Sequence, residues 1–146
     1  MKINKIMSIL IILATIFLLM GSAYALGKTT DLKKDHANQI EVKDDKLIDM
    51  SNKKEIGTIK PIENPDEAEK TIKEYDSNPI KKTVSDNPQV IEYNVEDKKD
   101  SSHSGIYWVF KDKNGDYFQA FCPAESMQGD KILSRMTEFC NTNSIL

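Results

Sequence analysis

The chain has 146 residues, 20 of them basic and 23 acidic, a formal net charge of −3 and two cysteines, enough for one ordinary domain with a leader or tail and too little for two. The acidic balance excludes nucleic acid and anionic lipid as electrostatic partners. Arg135 is the sole arginine beside 19 lysines, so bidentate phosphate recognition has one side chain to work with and phosphate chemistry is not expected.

Lys2 and Lys5 precede an uncharged run from Ile6 to Met20, and Gly21, Ser22, Ala23, Tyr24 and Ala25 follow. A basic start, an apolar middle and small residues before a cut are the pattern of a secretory signal peptide, with cleavage expected after Ala25. The alternative is an uncleaved anchor over Ile6 to Leu26, the one route to a membrane that the sequence offers. Cleavage leaves 121 residues with 18 basic against 23 acidic side chains, a net charge of −5. The expected location is secreted or extracytoplasmic, and the Lys, Ile and Asn richness points to an AT-rich prokaryotic genome.

From Leu26 to Ile62 charges such as Lys33, Lys34, Asp35, Asp44 and Asp45 break every apolar run. Residues 26–62 therefore read as a polar, largely disordered spacer. Its apolar pieces, Ile40 to Val42, Leu47 to Met50 and Ile56 to Ile59, suffice only for an added edge strand.

Asn64, Pro65, Asp66 and Glu67 open a helix, with a capping side chain, proline in the first turn and acids at the positive end of the dipole. Ala68, Ile72 and Tyr75 give it a narrow apolar stripe, and Asn78 with Pro79 stop it. After Asn87 and Pro88, Ile91, Tyr93 and Val95 alternate with Glu92, Asn94 and Glu96, a strand with one buried and one wet face. Ile106 to Phe110 and Tyr117 to Cys122 flank Asp112 to Asp116 as a hairpin. A three-residue loop with Gly115 in the left-handed region pairs Phe110 with Phe118, Trp108 with Ala120 and Ile106 with Cys122, giving one continuous apolar face. Asp130 caps a last helix whose stripe is Ile132, Leu133, Met136, Phe139 and Cys140.

These elements predict an α+β domain over residues 63–146. It consists of a three-stranded antiparallel meander, the C-terminal helix packed on its apolar face, and one preceding helix. Cys122 falls on the inner hairpin face and Cys140 on the helix stripe. In an exported chain two thiols with no leftover are expected to form a single disulfide, contributing about 3 kcal/mol.

No catalytic set, metal site or cofactor is expected. Asp112, Asn114 and Asp116 resemble the start of a calcium loop, but Gly115 stands fourth rather than sixth and Pro123 occupies the place of the closing Glu. They read as a hairpin turn. Ser101, Ser102, His103 and Ser104 contain a nucleophile and a base in principle, without a third orienting group visible in the sequence. Both cysteines are remote in sequence from His36 and His103, too few ligands for zinc.

The feature with functional leverage is aromatic. Tyr107, Trp108, Phe110, Tyr117, Phe118 and Phe121 fall within 15 residues, and about half must point away from the inner face. Two readings stand open. Either the second face is covered by the segment before Ile62 or by the Asn64 helix, or Tyr107, Val109, Tyr117, Gln119 and Phe121 form an exposed surface for an unidentified protein or peptide partner.

The order helix, amphipathic strand, aromatic hairpin and glycine turn over Pro65 to Leu133 resembles the PepSY-like domains of secreted proteins. Glu67-Ala68, Ile91 to Val95, Ile106 to Phe110 and Tyr117 to Phe121 carry the likeness. It implies an association with secreted peptidase propeptides or cell-envelope proteins and brings no catalytic residues. The paired cysteines and the long polar lead-in depart from it. The sequence thus leads to a small exported module that binds and does not catalyse, with peptidase regulation or a membrane-anchored form as its alternatives.

Overall fold

The computed structural model describes residues 26–127 and 131–145. The expected signal peptide and cleavage site, the anchor alternative up to Ala25 and the Asp130 cap lie outside the described residues.

In place of a three-stranded meander the chain builds one seven-stranded, wholly antiparallel sheet. Its strands are β1 (Ile40–Lys43), β2 (Lys46–Asp49), β3 (Lys54–Ile62), β4 (Ile80–Asp86), β5 (Gln89–Val95), β6 (Gly105–Lys111) and β7 (Tyr117–Pro123). They lie side by side in the order β1-β2-β3-β7-β6-β5-β4. The meander of β5, β6 and β7 is present at its centre. The four additional strands are β4 on one edge and β1 to β3 on the other, the latter drawn from the residues read as a spacer.

Helix α1 (Pro65–Tyr75) carries the chain from β3 to the far edge at β4, and helix α2 (Ile132–Ile145) packs on the opposite face of the sheet. The start of α1 follows the expected chemistry. The Asn64 side chain accepts from the Glu67 N–H at 3.0 Å and Pro65 occupies the first turn, a cap worth about 1 kcal/mol. Asp76 then ties the C-terminal end of α1 to the sheet by accepting from the Glu96 N–H at 2.9 Å.

The hairpin register is the expected one: Ile106, Trp108 and Phe110 lie opposite Cys122, Ala120 and Phe118. Gly115 has φ +88°, a conformation that costs a residue with a Cβ energy and costs glycine none. Asp112 completes the turn, its Oδ1 accepting from the N–H groups of Asn114 and Asp116, both at 2.9 Å. That carboxylate is committed to the loop.

A helix on each face explains why the Ile106 to Phe110 run is apolar on both sides. Trp108, Phe110, Phe118 and Ala120 pack under α2 with Ile132, Met136, Phe139 and Cys140. Tyr107, Val109, Ile91, Tyr93 and Val95 pack under Ala68 and Ile72 of α1. On α2, Leu133 departs from the expected stripe and is 44% exposed, whereas Asn143 is buried and donates to the Phe139 carbonyl at 3.1 Å.

The expected disulfide is corrected. Cys122 and Cys140 are free thiols, both fully buried. The staple was expected because two thiols with no leftover, in a chain read as exported, lie on apolar faces that meet. The faces do meet, and both thiols pack as apolar core side chains in one cluster without bonding. Burial pushes the Cys122 thiol up to about 12 and the Cys140 thiol well above its ordinary value, which leaves neither with thiolate reactivity near neutral pH.

A second clamp holds α2. The Arg135 guanidinium donates to Asp49 Oδ1 at 2.7 Å and Oδ2 at 3.2 Å, and to the Asn38 and Gln39 carbonyls at 2.9 and 3.2 Å. The fork geometry that makes arginine suited to phosphate is therefore used inside the fold.

Candidate functional site

Helix α1 packs over β5, β6 and the Ile62 end of β3, and beyond that cover, over Thr58 and Lys60 of β3, the surface dips into a cleft of about 400 Å³. Its floor is made by Thr58 and Lys60 of β3 with Gln119 and Phe121 of β7. One wall is Thr71 and Tyr75 of α1 together with His103, and the other is the β1-β2 turn, Asp44 and Asp45. Thr58 and Lys60 pair with Phe121 and Gln119 across the β3-β7 ladder, so all four side chains rise on one side of the sheet.

The walls are held firmly. Asp97, only 8% exposed, places its Oδ2 2.9 Å from His103 Nδ1. Its Oδ1 accepts from the Lys99 and Asp100 N–H groups at 2.9 and 3.1 Å. The His103 hydrogen bond holds the Asp97 carboxyl below the usual carboxylate range, so Asp97 is the acceptor and His103 Nδ1 the donor. The His103 ring stacks on Tyr75 with centroids 3.9 Å apart. Tyr107 donates from its hydroxyl to the His103 carbonyl at 2.9 Å and stacks on Phe121 at 4.4 Å. Tyr75 and Tyr107 meet tilted, with centroids 6.5 Å apart, so two stacked ring pairs adjoin behind the cleft.

On the opposite wall, Asp44 and Asp45 both have positive φ, 53° and 62°. Left-handed non-glycine residues are sparsely populated and persist where surrounding contacts hold them. Here Asp45 accepts from the Thr29 hydroxyl, and its carbonyl accepts from the Ile59 N–H at 2.9 Å.

Gln119 distinguishes this cleft from the larger depressions beside the Asp97 to Ser104 loop. It is 7% exposed, and its Oε1 has no hydrogen-bond partner. Among the described residues the other such atom is Asn141 Oδ1, which lies on α2 across the sheet. A buried carbonyl without a donor costs about 1–3 kcal/mol, and such groups call for a specific explanation. A ligand donor is one.

The five residues read from the sequence as a surface are divided by α1. Tyr107, Gln119 and Phe121 line the cleft, while Val109 and Tyr117 line a separate hollow of about 310 Å³ near Pro65 and Asp112. Tyr107 and Val109 are 3% and 2% exposed, so the face is largely core, and burial raises the Tyr107 phenol well above its ordinary value.

The serine cluster gains its third group in Asp97, six residues before His103, yet forms no triad. The Ser102 hydroxyl donates to Asp100 at 2.6 Å, and the Ser104 hydroxyl accepts from the Asp97 N–H at 2.8 Å. Both are committed to the loop and neither is bonded to the imidazole. Among the described residues no group of three or more His, Cys, Asp or Glu side chains is placed to hold a metal ion.

Searches of known protein families, curated proteins and solved structures find no match to this chain.

Proposed function

We propose that this protein is a small exported module that binds a ligand in the cleft beside α1 and performs no chemistry on it. The observation that carries the reading is the unpaired, buried Gln119 Oε1 on the cleft floor. A pre-formed concave site with a few convergent polar groups and an aromatic wall is the ordinary form of a ligand pocket. Export rests on the basic and apolar leader. Absence of catalysis rests on the commitment of Ser102 and Ser104 to Asp100 and Asp97. The peptidase-regulating role implied by the PepSY-like resemblance draws on no feature of the cleft and is not adopted.

Nitrogen-15 NMR of the purified exported protein, titrated with a panel of small polar fragments, tests this. Fragments that bind should shift the Gln119 side-chain amide, His103 and Tyr107 together, and Gln119→Leu should abolish those shifts. A panel that leaves these three signals unmoved sinks the proposal.

A further inference from the structure

We infer that the ligand is a neutral, hydroxyl-rich ring compound, a saccharide unit; this rests on the cleft being the binding site. Its lining carries two carboxylates, Asp44 and Asp45, and two ammonium groups, Lys46 and Lys60. The charges of these four groups sum to zero. An anion would meet Asp44 and Asp45, with the unpaired Gln119 carbonyl beneath them, all acceptors. A cation would meet Lys46 and Lys60. Either ion would lose part of its hydration for a lining that repels as much as it attracts.

A hydroxyl group suits every member of the set because it both donates and accepts. Donation fits Gln119 Oε1 and the carboxylates, acceptance fits Lys60 and Thr58, and the Thr71 hydroxyl, which donates to the Glu67 carbonyl at 3.2 Å, is left as a further acceptor. Several hydroxyls on one ring can engage several of these groups at once, as a single donor cannot. The aromatic stack gives the less polar face of a sugar ring something to lie against, since Tyr75 and Phe121 are both partly exposed in the cleft. The volume of about 400 Å³ falls at the lower end of ligand sites, the scale of one or two sugar rings and not of a folded partner.

The experiment is calorimetry with parallel NMR on the exported protein. The probes are glucose, N-acetylglucosamine, cellobiose and chitotriose, with sodium acetate, ethylammonium chloride and glycylglycine as ionic and zwitterionic comparisons. Saccharide binding should be saturable and should shift Gln119, His103 and Phe121. Its affinity should change less than about twofold when salt is raised severalfold, because a neutral ligand has no Coulomb term to screen. Gln119→Leu should weaken it by about tenfold or more, the loss expected for one buried hydrogen bond, with the melting temperature unchanged or raised. Binding of glycylglycine or acetate at Gln119 without any saccharide response would overturn the ligand class and leave the cleft standing. No response at Gln119 from any probe or polar fragment would overturn both.

Discussion

The two faces of the sheet bury similar side chains to different ends. Under α2, Trp108, Phe110, Phe118, Met136 and Phe139 are all at most 1% exposed, and Phe110 stacks on Phe118 with centroids 5.8 Å apart. Trp108 is paired as well, its Nε1 donating to Thr137 Oγ1 at 3.2 Å. Under α1, packing takes in β5, β6 and Ile62 of β3 and then stops, leaving Thr58 and Lys60 exposed, Phe121 half-buried and Gln119 Oε1 without a donor. One face is finished and the other keeps a deliberate gap. A face optimised only for stability would have placed an apolar residue at Gln119 or extended α1 over it.

The largest effect that sharpens this contrast is in the finished face. Trp108→Ala should cost about 3–5 kcal/mol, as for a fully buried aromatic. Tyr107→Ala should approach the lower end, about 3 kcal/mol, since its ring is buried between α1 and the sheet. Denaturant melts decide it. A Tyr107→Ala loss under about 1 kcal/mol, the range of exposed substitutions, would mean that α1 does not seal this half of the sheet.

Next in size is the clamp that fixes α2. Asp49 is 1% exposed, and the Arg135 hydrogen bonds lower its carboxyl from 3.8 to about 2. A carboxylate depressed in the folded state stabilises it fully above the unfolded value near 4, and this contribution is lost as pH falls through about 2. The shift corresponds to about 2 kcal/mol. Thermal melts between about pH 5 and pH 2 should show this loss. In Arg135→Met the whole chain should be less stable at neutral pH, because the buried Asp49 carboxylate loses its counter-charge and keeps only the Ser51 N–H and hydroxyl as donors. The acid-dependent loss from Asp49 should shrink, since Arg135 is the largest cause of its lowered carboxyl. An unchanged acid profile in that variant would show that the clamp does not govern Asp49.

How the unfinished face arises was legible only in part. Capping at Asn64, alternation from Ile91 to Val95 and the Gly115 loop each put a known local geometry into the sequence, and the corresponding elements stand where expected. The β1-β2-β3 region gave no such signal because its turns place Gln39, Asp44, Asp45 and Lys53, not glycine, at positive φ. Without glycine the turns look like charged spacer. Strand β4 hid differently. It is an edge, with Ile80, Lys81, Lys82 and Thr83 all exposed, and lysines on an edge prevent pairing with other chains while erasing the alternating pattern. The cleft inherits both difficulties, since Asp44, Asp45, Thr58 and Lys60 come from the unread strands and Asp97 is brought to His103 by a loop. Gln119 was singled out, but as part of an exposed surface. That it would be buried and unpaired depends on where α1 stops, which no local pattern encodes.

A smaller effect separates the rim from the core. Phe121 is half-buried and stacks on Tyr107 at 4.4 Å, so Phe121→Ala should cost about 1–2 kcal/mol, below Tyr107→Ala, because part of its ring is already wet. Equal losses for the two would place Phe121 in the core and close that side of the cleft.

The smallest expected effect on stability is the most informative. Gln119→Leu replaces a nearly isosteric side chain and removes a buried carbonyl that has no donor. Replacing an unpaired polar group by an apolar one of similar shape is neutral or stabilising, here by up to about 1 kcal/mol. An ordinary structural glutamine would behave oppositely, because its loss would strand the partner to which it was bonded. The denaturant midpoint of Gln119→Leu should therefore equal or exceed that of the parent, while the NMR shifts produced by cleft ligands disappear. A fall of more than about 1 kcal/mol would reveal a hydrogen bond at Gln119 in the free protein, and the gap in the α1 face would then be a packed site with no vacancy for a ligand.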